Sequence, residues 1–169
     1  MDLWWRGLRF IGHSCGSRRV VDLQRRPVDV DERTEQRFNP GIYGTLGQPA
    51  PDNIPGGRAS AVNWADANGI VWIFGGNVPP AGFLNDLWRF NAGGYSAGQW
   101  TWMGGSQGVG NQKGVYGTLG SAAASNVPGA RLWAASWMDS SGNLWLFGGY
   151  GYDSAGNLGQ LNDLWKYKP

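Results

Sequence analysis

Histidine and cysteine are the side chains that most often hold metals or act as base and nucleophile. This chain of 169 residues has one of each, His13 and Cys15. A lone imidazole supports no Ser-His-Asp arrangement and no His-based zinc or copper site. A lone thiol forms no internal disulfide and says little about redox compartment. No GxGxxG or P-loop follows a strand pattern, so no nucleotide site is read and no cofactor is expected. Asp66-Ala67-Asn68-Gly69 and Asp153-Ser154-Ala155-Gly156-Asn157 faintly resemble calcium loops. Both lack the closing bidentate Glu, and they read as turns.

The remaining chemistry lies in charges and tryptophans. Residues 1–40 hold eight Arg, no Lys and six acids, while residues 41–169 hold six basic and six acidic residues. Eight of those twelve later charges recur at matching positions: Arg58/Arg131, Asp66/Asp139, Asp86/Asp163 and Arg89/Lys166. They could form a binding ring. The stronger reading is structural, because turn and inter-strand charges recur in any repeat fold. Arg58 and Arg131 are expected to pair with Asp86 and Asp163, within or between repeats. With no net charge beyond residue 40, there is no electrostatic footprint for nucleic acid.

Tryptophan invites a carbohydrate-stacking reading. Trp64/Trp137, Trp72/Trp145 and Trp88/Trp165 are repeat mates, however, and Trp100 lies in a further strand pattern. These read as packing between large apolar faces. Trp102 has no such mate. Trp133 replaces Ser60 and is the candidate for a local binding loop.

A repeat positions all of these residues. Gly41 to Gly76 and Gly114 to Gly149 align without a gap at an offset of 73, with 19 of 36 positions identical. Each copy then reaches LNDLWRF (Leu84 to Phe90) or LNDLWKY (Leu161 to Tyr167). Arg58 to Trp64 and Arg131 to Trp137 read as strands closed by a turn ending in Gly69 or Gly142. IVWIF (Ile70 to Phe74) and NLWLF (Asn143 to Phe147) are apolar runs of a strand covered on both faces. They end in Gly75-Gly76 and Gly148-Gly149, where backbones pack closely or turn without a Cβ penalty. Asp86 to Phe90 and Asp163 to Tyr167 form a third strand, and QWTWM (Gln99 to Met103) a fourth. Gly and Pro interrupt every window long enough for a helix. Four antiparallel strands repeated radially make an all-β propeller.

Over Gly41 to Pro169 these motifs resemble the kelch-repeat family: an apolar strand ending in a double glycine, a DLW strand, and a Trp-bearing outer strand. The period exceeds the roughly 50 residues of kelch repeats, and the long linkers resemble those of bacterial kelch-like proteins. The resemblance implies interblade linkers at 39–57 and 104–130, a blade at 58–103, and a partial blade at 131–169 lacking its outer strand. Galactose oxidase carries similar repeats with a copper held by two His and two Tyr, one Tyr crosslinked to Cys. This chain lacks the His pair and has no Cys in its repeats, so no oxidase activity carries over.

Residues 1–38 show no repeat as written. Reading their codons one nucleotide forward, Met1-Asp2 forces Trp, while Trp4-Trp5 and Trp5-Arg6 force Gly, giving the pattern of Trp72 to Gly76. Pro27 to Glu32 permits Q-W-T-W-M. The segment is expected to be an out-of-frame remnant of a preceding blade, with a genuine divergent extension as the alternative. No stretch approaches the roughly 20 apolar residues that span a bilayer, and MDLWWRGLRFIGH lacks the regions of a signal peptide. An extracellular or cell-surface site is expected for the intact parent protein.

Two blades fall short of the roughly four to eight of a closed propeller, so further blades are expected and the ring is incomplete. The function expected is a non-catalytic binding or scaffold module for a protein or glycan partner. The alternatives are part of a sugar-acting propeller enzyme, or the non-functional product of a frameshifted gene.

Overall fold

The structure, a computed structural model, describes residues 41–93 and 98–169. The shifted-frame reading of residues 1–38 lies outside the described residues. Every regular element among the described residues is a strand, and all the sheets are antiparallel.

The first sheet begins with β1 (Val62–Ala65) and β2 (Ile70–Phe74), in register Val62↔Phe74 and Trp64↔Trp72. Their turn is locked by Asp66, whose Oδ1 accepts the amides of Asn68 at 2.9 Å and Ile70 at 2.8 Å, the local competition for backbone donors that makes Asp a turn residue. A small hairpin follows, β3 (Asn77–Val78) with β4 (Gly82–Phe83). Next β5 (Leu87–Asn91) returns along β2, and β6 (Gln99–Gly104) lies outside β5. The order is β1-β2-β5-β6. The strand expected from Arg58 starts only at Val62, because Ser60 takes a positive φ of 59° and breaks the extended run. Its mate Trp133 does the same.

The second sheet contains β7 (Arg131–Leu132), β8 (Ala135–Met138), β9 (Leu144–Tyr152) and β10 (Leu158–Tyr167). β8, β9 and β10 are the counterparts of β1, β2 and β5. β9 and β10 run longer than their motifs because pairing continues past Gly148-Gly149 to Tyr152↔Leu158. Asp153 closes that hairpin by accepting the amides of Ala155 and Asn157, each at 2.8 Å. No strand among the described residues pairs with the outer edge of β10. The architecture is therefore blade-like and open.

The core lies between the sheets. Val62, Trp64, Trp72 and Phe74 of the first blade bury their side chains against Leu144 and Leu146 of the second. Burying each such aliphatic or Phe side chain contributes about 1.5–3 kcal/mol. Trp64 Nε1 donates to the carbonyls of Trp137 (3.1 Å) and Trp145 (3.0 Å), so its polar end is satisfied across the boundary. Ser136 Oγ donates to the Asn63 carbonyl at 3.1 Å beside it.

The double glycine explains how the blades approach so closely. Gly75 and Gly76 have φ of 64° and 93°. A Cβ on Gly75 would stand 2.6 Å from the Arg131 carbonyl oxygen of the next blade. Without it, Gly76 N–H donates to that oxygen at 2.9 Å, and Arg131 N–H donates to the Leu84 carbonyl at 3.1 Å. Gly148 and Gly149 keep the same geometry, at 65° and 95°. A Cβ on Gly148 meets only its own blade, at the Leu161 oxygen.

Candidate functional site

Each blade carries a matching cluster of polar side chains, built from three segments that the fold brings together. In the first blade the cluster centres on Asp86, just before β5. Arg58 reaches it from the approach to β1, donating to Oδ1 at 2.6 Å from one terminal nitrogen and to Oδ2 at 2.8 Å from the other. Trp88 Nε1 donates to Oδ2 at 2.7 Å, and so does the Tyr43 hydroxyl at 2.7 Å. The Arg58 guanidinium also donates to the carbonyls of Gly56 and Gly75. Asp86 and Trp88 are wholly buried.

The second blade repeats the arrangement. Arg131 donates to both oxygens of Asp163, at 2.6 and 2.7 Å, and to the Gly129 and Gly148 carbonyls. Trp165 Nε1 and the Tyr116 hydroxyl donate to Asp163 Oδ2 at 2.7 and 2.6 Å. Arg58–Asp86 and Arg131–Asp163 thus pair within blades.

The chemistry available to these clusters follows from counting partners. A carboxylate accepts at about four lone-pair sites, and Asp86 and Asp163 each accept four hydrogen bonds. In each, three of the four fall on Oδ2 and one, from the arginine, on Oδ1. Burial pulls the Asp163 carboxyl up, but the donors Arg131, Trp165 and Tyr116 outweigh it and bring its pKa to about 2. Burial and the neighbouring carboxylate push Tyr116 up to about 12, and Tyr43 is raised for the same reasons. Each phenol is held as a donor rather than a nucleophile. Burial opposes the charge of Arg58, yet the Asp86 contacts raise its pKa on balance. The clusters are built to hold a strand, a loop and a glycine turn together.

Tyr43 and Tyr116 were not among the residues singled out by motif. Both lie in segments expected as plain interblade linkers. Those segments instead fold back through the bridges Ile42↔Ile54 and Val115↔Val127 and present the tyrosine to the Asp. The signal was visible as the identical GTLG-preceding Tyr in both copies.

The other candidates are placed apart from these clusters. Trp72 and Trp64 lie between the blades. Trp137 and Trp145 stack on the second blade, with ring centroids 5.8 Å apart and 5° between planes. Trp145 Nε1 donates to Asp139 Oδ2 at 2.9 Å, and Lys166 Nζ sits 5.0 Å over the Trp145 ring. Hydrogen bonds from Trp145 and Asn143 hold the Asp139 carboxyl well below its usual range. Arg89, the mate of Lys166, lies 5.8 Å over Trp72. Trp133 is 72 % exposed, on a backbone with φ of 59°. Among the described residues, no three His, Cys, Asp or Glu side chains gather as a metal-binding group, and no helix is long and apolar enough to cross a membrane.

Set against this geometry, a scan of protein-family models and a search of curated proteins both return no match. What the fold and site support is a pair of antiparallel, blade-like sheets, each pinned by a Tyr–Arg–Asp–Trp cluster.

Proposed function

We propose that the chain is a non-catalytic binding and scaffold module of kelch-type propeller blades, whose partner is a protein. The partner surface is the open face of the second blade, and the occupant is another blade of the same repeat. One observation carries this reading. Phe74 and Trp64 are 4 % and 6 % exposed because the second blade covers them, while their mates Phe147 and Trp137 are 46 % and 45 % exposed. Leu164, the mate of half-buried Leu87, is exposed beside them.

A contiguous apolar face of this kind marks an interaction surface. The complementary surface is also present in the chain. Leu144 and Leu146 do the covering, and their mates Val71 and Ile73 are half-buried on the first blade. Docking one on the other is head-to-tail, a heterologous contact that closes into a ring or runs on as an array.

Sedimentation velocity across a micromolar concentration series tests the proposal. The expected result is association that grows with concentration and is abolished by Phe147→Asp. A monomer at every concentration, or association unchanged by that substitution, would overturn it.

A further inference from the structure

One turn differs between the blades by a residue whose side chain can react with its own backbone. The β1–β2 turn reads Asp66-Ala67-Asn68-Gly69, and its counterpart between β8 and β9 reads Asp139-Ser140-Ser141-Gly142. The two backbones match. Asp66 Oδ1 accepts the amides of Asn68 and Ile70, as Asp139 Oδ1 accepts those of Ser141 and Asn143 at 2.9 and 3.0 Å. Gly69 and Gly142 have φ of 79° and 78°, the positive φ for which this turn selects glycine. Serine therefore stands where Asn68 stands without altering the turn.

Asparagine is a thermolabile residue because its side-chain carbonyl carbon can be attacked by the amide nitrogen of the next residue. Access to that nitrogen decides which asparagine reacts. Asn68-Gly69 is the one Asn-Gly step in the sequence. The other exposed asparagines among the described residues, Asn63, Asn111, Asn157 and Asn162, precede Trp, Gln, Leu and Asp, whose Cβ shields the nitrogen. Gly69 has no Cβ, and the nearest atom to where one would stand is Ala92 Cβ at 4.0 Å. Its N–H is also weakly held. It donates to the Asp66 carbonyl at 3.3 Å, beyond the roughly 2.7–3.2 Å of a good N–H···O bond, whereas Gly142 N–H donates to the Asp139 carbonyl at 2.9 Å. Ala67, Asn68 and Gly69 are exposed although the second blade covers Val62 and Trp64 of β1. Water therefore reaches this turn in a stacked blade too.

We infer that Asn68 is a site of spontaneous backbone modification through a succinimide, and that its products loosen the β1–β2 turn. The Gly69 nitrogen loses its proton to solvent and bonds to Asn68 Cγ. The Cγ–Nδ2 bond breaks, and Nδ2 takes up a proton and leaves as ammonia. Water then opens the ring at either carbonyl carbon. One opening leaves an aspartyl residue, and the other an isoaspartyl linkage whose main chain runs through Cβ. Both products set a second carboxylate beside Asp66, and the isoaspartyl one lengthens the main chain by a methylene. The pairing Ala65↔Val71 and the bond from Asp66 N–H to the Ile70 carbonyl at 3.0 Å depend on the length of this turn. β1 carries Val62 and Trp64 into the core between the blades, so the change is felt at that boundary. The modification does not depend on the blade-docking reading.

Timed incubation of the full chain at neutral and mildly alkaline pH tests the inference. Peptide mapping by mass spectrometry, with fragmentation that separates isoaspartyl from aspartyl, reads the outcome. The mass shift of amide-to-carboxylate conversion should accumulate first in the peptide spanning Asn68, with both isomers present. It should grow faster at the higher pH, because the attacking nitrogen must lose its proton. Asn68→Ser, which copies the turn of the second blade, should abolish the shift and leave the circular dichroism of the chain unchanged. Hydrogen exchange should quicken across Val62–Ala65 and Ile70–Phe74 in the aged parent chain, and stay as it was in aged Asn68→Ser. Conversion of the other exposed asparagines before Asn68 overturns the assignment of the site. Aspartyl product without isoaspartyl overturns the succinimide route. Unchanged exchange in fully converted chain overturns the loosening of the turn.

Discussion

The two blades carry the same polar cluster in different surroundings. In the first, Arg58 and Asp86 are 6 % and 0 % exposed at their side chains, under a covering outer strand and a neighbouring blade. In the second, Arg131 is as deeply buried but Asp163 is 13 % exposed, beside the β10 edge that no strand among the described residues pairs with. The bond lengths barely change between them. The cluster therefore forms from within one blade, whereas exposure of the apolar positions is set by what stacks on it. Sequence identity at a repeat position fixes geometry, and the neighbour fixes energetic weight.

The largest expected contrast is between Phe74 and Phe147. Phe74→Ala should cost about 3–5 kcal/mol, the range for emptying a buried aromatic site. Phe147→Ala in dilute solution should cost less than about 1 kcal/mol, since nearly half its surface is already in water. Urea unfolding of both variants measures the pair. Asp86→Ala should cost about 3–5 kcal/mol by stranding Arg58. Asp163→Ala should cost less, because water entering at the open edge rehydrates Arg131.

The glycine turns give a smaller contrast. Alanine at Gly75 or Gly148 bears about 1–2 kcal/mol for the left-handed conformation. Gly75→Ala should cost more than Gly148→Ala, since its Cβ also meets the Arg131 carbonyl of the next blade. Chemical denaturation of the two alanine variants shows whether that interblade contact matters.

A further contrast, between the two partners of one cluster, is in pH. The Asp163 pKa falls to about 2 in the fold, against about 3.9 in an unfolded chain. Its contribution to stability is present above pH about 4 and is lost as pH falls toward about 2, because the unfolded state binds the proton first. Tyr116 has the opposite sign. Its pKa rises to about 12, so its contribution is full below pH about 10 and is lost between about 10 and 12. Unfolding midpoints across pH should show both limbs. Asp163→Asn should flatten the acid limb and Tyr116→Phe the alkaline one.

Much of the blade was legible in the sequence. IVWIF and QWTWM carry their own apolar pattern, and the Asp66 and Asp139 turns end in a glycine, so local chemistry alone places β2, β6 and their turns. The Arg–Asp pairing could be anticipated because both members recur together. Three features were not legible. Ser60 and Trp133 adopt a positive φ that no side-chain preference announces, and this delays β1. β9 and β10 continue through glycine-rich sequence because cross-strand pairing, which has no local signature, holds them. Tyr43 and Tyr116 lie in segments with loop composition, and only the folding back of those segments brings each hydroxyl onto a carboxylate.

Head-to-tail docking of one blade on the next is the central claim, and a mixing experiment tests it most directly. Phe147→Asp blocks the open face of the second blade, and Val71→Asp blocks the covering face of the first. Each variant, shown to be folded by circular dichroism, should sediment as a monomer alone. Mixed, they retain one good face each and should form a dimer and nothing larger. A mixture that stays monomeric would contradict the account, as would either single variant associating like the parent chain.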